Sequence, residues 1–333
     1  IDSVNAPNAS IFFNFNEAAI LGTSTEVELT VSDSNVGIQG GVFIDPTAAE
    51  VEPAILDPFA VPIDTNIEQL HIIIDDTVGQ GSIISNLNFL GLETLSLSGG
   101  IQDSKFEISD PLDASLAELT AREVSADLIL DISNSVLEKV VNLGTGSDIL
   151  KMGDSLTASP GLDKISGGFG DDRLSLTFEG ATTVSPSLSS FENLELSFNS
   201  DSTLDLLRSS DVDTINLLAS TARVSITNVP FDLSEFYVAG SQTGAWLISY
   251  EDNASSAVNL DWSNDTGVDV DLTSMAFDEV RSLSITADGA NDVSIAALST
   301  DPDDTNLISF VNTDDGNLTI SQLVQLDTLD AVT

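Results

Sequence analysis

The chain has 333 residues, and its 54 Asp and Glu against 9 Lys and Arg give a formal net charge of −45. Hydrophobic residues make up 41% of it, so the sequence predicts a folded protein with an ordinary core rather than a disordered acidic tail. Its charge repels phosphate groups and anionic lipids, and no apolar run reaches the ~18 residues of a membrane helix, so we expect no nucleic-acid partner and no membrane insertion.

The residue types restrict the metal chemistry. With no Cys and one His, thiolate and multi-histidine sites are excluded. Self-repulsion among the carboxylates must be relieved by counter-ions. Carboxylate and carbonyl oxygens are the ligands that calcium prefers, so the composition predicts bound Ca²⁺. A halophilic protein stabilised by salt screening alone is the alternative.

The first part of the chain is interrupted by proline. Four prolines fall within residues 45–63, which is typical of a boundary or an elaborated loop. We predict a separate N-terminal β module over residues 1–62 and the main domain over residues 63–333. The chain does not begin with Met and shows no recognisable signal at either end, so we expect a piece of a longer polypeptide or a processed product.

A short apolar ladder recurs along the main domain. The pattern apolar-x-x-apolar-x-apolar occurs at residues 67–72, 92–97, 191–196, 212–217, 233–238 and 280–285. Many neighbouring copies are about 20–25 residues apart, within the period of solenoid repeats that bury their apolar faces only by stacking. The sequence therefore predicts an all-β fold, a parallel β-solenoid or β-helix. A β-sandwich with regular strand spacing is the alternative.

Short helices are expected on the outside of this solenoid. The best candidate is residues 110–122, where Asp110 would cap the helix and Pro111 fits its first position. Leu112, Leu116 and Leu119 would then share the face that packs on the solenoid.

Residues 143–175 contain a glycine- and aspartate-rich motif, the strongest candidate for a functional site in the sequence. Residues 167–175, Gly-Gly-Phe-Gly-Asp-Asp-Arg-Leu-Ser, match the nonapeptide G-G-x-G-x-D-x-U-x, in which U is a large apolar residue. Residues 143–151 repeat the pattern with Leu143 in place of the first glycine, and residues 161–166 fit its second half.

With these residues the chain resembles the RTX (repeat-in-toxin) family of calcium-binding secreted proteins. In its composition and its apolar ladder it is most similar to the RTX-type bacterial surface-layer proteins. The resemblance implies glycine-rich turns, short strands, and Ca²⁺ held by oxygens of turns one rung apart. The matching positions are Gly144, Gly146 and Asp148 on one turn and Gly168, Gly170 and Asp172 on the other, with Asp163 at the opposite edge. It also implies a bacterial protein exported to the cell surface by type I secretion.

Catalytic constellations are sparse. Any Ser-His-Asp triad would have to use His71, and a lone strand histidine is more often structural. No spacing singles out a carboxylate pair for glycoside chemistry, and 9 basic residues are few for holding an acidic sugar. We expect no catalytic residues.

These observations predict a non-enzymatic, calcium-dependent, secreted structural protein, a self-assembling surface-layer or extracellular matrix component. Its expected partners are other copies of itself, joined through calcium-bridged contacts, and cell-surface polysaccharide. Two other functions stay open. One is an RTX-type adhesin module of the same fold that binds surface glycans, and the other is a polysaccharide lyase or epimerase on a β-helix.

Overall fold

The computed structural model describes residues 9–14, 26–32, 35–41, 67–77, 79–89, 91–233, 235–251, 257–261, 270–287, 292–300, 307–312, 317–324 and 331–332. The regular elements within these residues are strands, and they pair in parallel. The predicted all-β parallel β-solenoid is therefore confirmed. In the described part of the chain, no helix has the length and hydropathy needed to cross a membrane.

The chain divides into two compact units, Ile1–Lys151 with Gly168–Gly170, and Met152–Gly167 with Asp171–Thr333. The strands that begin in the first unit are β1 (Ala9–Asn14), β2 (Glu26–Val31), β3 (Asn35–Gly41), β4 (Gln69–Ile74), β5 (Gly81–Phe89), β6 (Thr94–Gly99), β7 (Lys105–Ile108), β8 (Glu118–Thr120), β9 (Asp127–Asp131), β10 (Val140–Asn142) and β11 (Ile149–Gly153). They form two parallel sheets, in the orders β1-β3-β5-β7-β9-β11 and β2-β4-β6-β8-β10. The module boundary predicted at residue 62 lies outside the described residues.

The strands of the second unit are β12 (Lys164–Ser166), β13 (Arg173–Phe178), β14 (Thr183–Val184), β15 (Ser187–Ser189), β16 (Asn193–Phe198), β17 (Thr203–Asp205), β18 (Thr214–Leu217), β19 (Val224–Val229), β20 (Glu235–Val238), β21 (Gln242–Tyr250), β22 (Ala257–Asp261), β23 (Val270–Asp278), β24 (Ser282–Ala287), β25 (Asp292–Ile295), β26 (Leu298–Thr300), β27 (Leu307–Asn312), β28 (Asn317–Ile320), β29 (Leu323–Val324) and β30 (Ala331–Val332). One sheet has the order β13-β16-β18-β20-β22-β24-β27-β30 and another β14-β17-β19-β21-β23-β25-β28. Strands β12 and β15 pair with each other, and β26 pairs with β23 and β29.

The apolar ladders stack in register, which is why the chain forms this fold. Leu194 pairs with Ile215, which pairs in turn with Phe236, and all three are fully buried. In the first unit Leu70 pairs with Leu95 in the same way. Burying a side chain of this size contributes roughly 1.5–3 kcal/mol, so each added rung extends a continuous core.

The helix predicted over residues 110–122 is wrong. These residues form turns and the strand β8. The three leucines of the predicted face are indeed buried, but as interior positions of a rung. The backbone N–H groups of Leu112 and Ala117 donate to the carbonyl oxygens of Asp131 and Glu93, at 2.8 and 2.9 Å. Pairing between rungs therefore replaces the local hydrogen bonds of a helix, an outcome that propensity alone does not predict.

Candidate calcium-binding turns

The two glycine-rich turns stack directly on each other within the first unit. The backbone N–H of Phe169 donates to the carbonyl oxygen of Gly144 at 3.0 Å. A Cβ on Gly168 would overlap that same oxygen, and a Cβ on Gly170 would overlap the carbonyl oxygen of Gly146. Gly168 and Gly170 also have φ values of +105° and +141°, where glycine is favoured. The structure thus brings Gly144 to Gly168 and Gly146 to Gly170, as the motif requires.

Asp148 closes the first of these turns from inside. It is fully buried, its Oδ1 accepts the backbone N–H of Leu128 at 2.8 Å, and its Oδ2 accepts that of Gly144 at 3.2 Å. Asp127, which the sequence did not single out, accepts the backbone N–H of Ser147 at 2.8 Å. Carboxylates therefore tie this turn to the preceding rung.

The other two predicted aspartates lie in the second unit, and both are buried. The Oδ2 atom of Asp163 accepts two hydrogen bonds from Thr157, from its backbone N–H at 2.6 Å and its hydroxyl at 2.8 Å. The Asp172 carboxylate lies against Gly167, where a Cβ would overlap it. The backbone N–H of Asp172 donates to Glu192 at 2.7 Å.

The donor chemistry of these turns fits calcium. Carbonyl and carboxylate oxygens surround glycines that carry no Cβ, and hard divalent cations prefer such oxygens. Within the residues that the structure describes, no group of three or more His, Cys, Asp or Glu side chains is placed to hold a metal ion. The oxygens of Asp148 and Asp163 also accept hydrogen bonds, so the same carboxylates serve the fold.

Outside the turns, amides separate the carboxylates of adjacent rungs. Adjacent strands lie about 4.7–4.9 Å apart, so carboxylates in register would repel one another. Instead, asparagine side chains donate to a carboxylate one rung away in the pairs Asn86–Asp110, Asn193–Asp171, Asn199–Glu179, Asn228–Asp205, Asn259–Glu235 and Asn317–Asp292, at 2.6–3.2 Å. The sequence signal was an asparagine placed 20–25 residues from an acid.

The substitution Asn259→Asp tests this arrangement. Asn259 pairs directly with Glu235, and its amide donates to that carboxylate at 3.1 Å. A second carboxylate there replaces a hydrogen bond with repulsion, so we expect a loss of about 1–2 kcal/mol in the free energy of unfolding, larger at low salt. Urea denaturation at two salt concentrations measures it. The double variant Glu235→Gln with Asn259→Asp keeps the net charge and should regain most of the loss. A double variant as unstable as the single one would contradict the explanation.

Cationic side chains neutralise little of the surface, because 9 Lys and Arg face 54 acids. Lys105 lies 2.9 Å from Glu107, and hydrogen bonds from Lys105 and Ser109 hold the pKa of Glu107 below its ordinary value. Lys139 is 1% exposed and donates to the carbonyl oxygen of Leu137 at 2.7 Å. Sequence reasoning missed this buried lysine, since no feature of residues 136–141 marks it.

His71 lies between two partners on adjacent strands. Its Nε2 is 2.8 Å from the Ser98 hydroxyl, and its Nδ1 is 3.5 Å from the Glu28 carboxylate, which is 64% exposed. The arrangement of Ser98, His71 and Glu28 resembles a Ser-His-acid triad. Acyl transfer, however, also needs backbone N–H donors aimed at an oxyanion. Here the backbone groups of β4 pair with both β2 and β6 in a continuous parallel ladder. We therefore interpret these side chains as a link between strands.

No family model, curated protein or solved structure matches this chain.

Proposed function

We propose that this chain is a non-enzymatic, calcium-dependent structural protein of the RTX type, secreted and built into a surface layer or extracellular matrix. The observation that supports it most is the pair of stacked glycine turns, where Gly168 and Gly170 lie on the carbonyl oxygens of Gly144 and Gly146. Asp148 and Asp172, the aspartates of the two motif copies, are each 0% exposed.

In this proposal the residues have distinct roles. The carbonyl oxygens of the glycine turns, with the carboxylate of Asp148, are the candidate ligands in the first unit, and Asp163 and Asp172 are candidates in the second unit. Bound calcium would supply the positive charge that a chain of net charge −45 lacks. Because the ion binds the folded form, it stabilises that form by mass action, and export into a calcium-rich medium would complete folding.

Assembly follows from the same charge. Exposed carboxylates on separate copies repel one another in the absence of divalent ions. A divalent cation that is coordinated by carboxylate oxygens of two copies replaces this repulsion with an attractive contact. The proposed partner is therefore another copy of this chain.

The decisive experiment is a thermal melt followed by circular dichroism, with light scattering on the same samples. The protein is measured in EGTA, in millimolar CaCl₂, in MgCl₂, and in NaCl at matched ionic strength. Calcium at roughly 100-fold excess over its Kd adds about 2.7 kcal/mol per site, so we expect a calcium-specific rise in Tm of about 5 °C or more together with larger particles. An equal rise in NaCl would contradict the proposal and favour a halophilic protein without a specific metal.

A further inference from the structure

A polar groove lies at one corner of the first unit, apart from the glycine turns. Its volume is about 480 Å³, and it crosses three successive rungs, at the end of β5 and in the segments after β7 and β9. The side chains that matter here are Asn86, Asn88, Asp110, Asp113 and Asn134, with Pro111 beside them. Small-molecule sites commonly measure about 300–1,000 Å³, so this groove has the size of a ligand site.

Part of the lining is held rigid by the fold. The Asn86 amide donates to the Asp110 carboxylate at 3.2 Å, and the Asp113 carboxylate accepts the backbone N–H of Ser115 at 2.9 Å. The backbone N–H of Leu112 anchors the segment to Asp131 at 2.8 Å. Both carboxylates are therefore positioned before any ligand arrives, which lowers the entropic cost of binding.

Two other amides are free to bind. Among the described residues, the side chains of Asn88 and Asn134 make no hydrogen bond. Each amide offers two donors and one acceptor oxygen. Together with the carboxylate acceptors of Asp110 and Asp113, the groove presents the mixture of donors and acceptors that hydroxyl groups require.

The charge of the groove selects among ligands. Its lining contains two carboxylates and no Lys, Arg or His, so phosphates, sulfates and uronates are repelled. Pro111 and Ala114 add small apolar surfaces against which the C–H face of a sugar ring can pack. We propose that this groove binds a neutral saccharide, a hexose or N-acetylhexosamine segment of an extracellular polysaccharide. The proposal does not depend on calcium binding at the glycine turns.

The test is a glycan array followed by calorimetry on the full chain. The array carries neutral hexose and N-acetylhexosamine oligomers beside uronate, sialylated and phosphorylated glycans. We expect binding to at least one neutral oligomer and none to the anionic ones. Calorimetry with the best neutral oligomer should then show about fivefold weaker binding for Asn88→Ala and for Asn134→Ala, because each loses one hydrogen bond.

The control variant is Asn216→Ala, which removes a half-buried asparagine from β18 in the second unit and should bind like the wild type. Circular dichroism of the groove variants should match the wild type, since neither amide supports the fold. Three results would each overturn the proposal: no neutral oligomer binds, anionic glycans bind as well as neutral ones, or both groove variants keep full affinity.

Discussion

The substitution Gly168→Ala is expected to lower the free energy of unfolding by about 3–5 kcal/mol. A Cβ at this position would overlap the carbonyl oxygen of Gly144 on the stacked turn. The turns must then separate, which breaks the hydrogen bond from Phe169 to Gly144. The φ value of +105° adds a backbone cost of its own for any residue other than glycine. Chemical denaturation of both proteins in EGTA measures the difference.

Gly79→Ala is the matched control. Gly79 also has a positive φ, +74°, but a Cβ there meets no atom within 4 Å. Only the backbone cost of about 1–2 kcal/mol applies to it. If the two variants lose the same stability, the close contact between the turns contributes nothing, and the stacking of Gly144 and Gly168 is not what holds this part of the solenoid.

The solenoid was predictable because the alternating apolar side chains that each rung requires are visible within a short stretch of sequence. Each rung needs apolar side chains at alternate positions, and the ladder at residues 191–196 shows them directly. The residues 110–122 carried the same buried leucines at helical spacing, with a proline and an aspartate at a suitable start. What decided between helix and rung was the supply of hydrogen-bond partners from neighbouring rungs, such as Asp131 for Leu112, and that supply is not visible in a local window.

The candidate site was predictable in part. The motif placed the glycines of residues 144–146 against those of residues 168–170, because only glycine tolerates so close a backbone approach. The role of the aspartates was not fixed by the motif. The Asp148 carboxylate accepts the backbone N–H of Gly144 in the turn and that of Leu128 on the preceding rung, and a calcium ion would need the same carboxylate as a ligand. One residue type in one position satisfies both requirements.

Side-chain contacts between adjacent rungs were the hardest feature to predict from the sequence. The pairing of Asn259 with Glu235, and the groove between Asn88 and Asn134, join residues that are distant along the chain. Their contact depends on the exact number of residues in each rung, which varies through the turns. Once the register is known, the pairing of Asn259 with Glu235 follows from the need to keep like charges apart.

The substitution Asp148→Asn separates the two roles of this carboxylate. Its Oδ1 and Oδ2 each accept a backbone N–H, and an amide can accept at only one of these positions. One buried N–H is left without its acceptor, so we expect a loss of about 1–3 kcal/mol in EGTA. If Asp148 is also a calcium ligand, the calcium-specific rise in Tm should fall sharply as well, because a neutral amide is a weaker ligand than a carboxylate.

Asp213→Asn is the control for charge. It removes the same charge from an exposed carboxylate that makes no side-chain hydrogen bond among the described residues. Both its stability and its response to calcium should stay within about 0.5 kcal/mol of the wild type. An Asp148→Asn variant that loses stability in EGTA but keeps the full calcium response would show that Asp148 only closes the turn. The calcium site would then have to be sought among exposed carboxylates, whereas loss of both properties would place one ligand at the centre of the stacked turns.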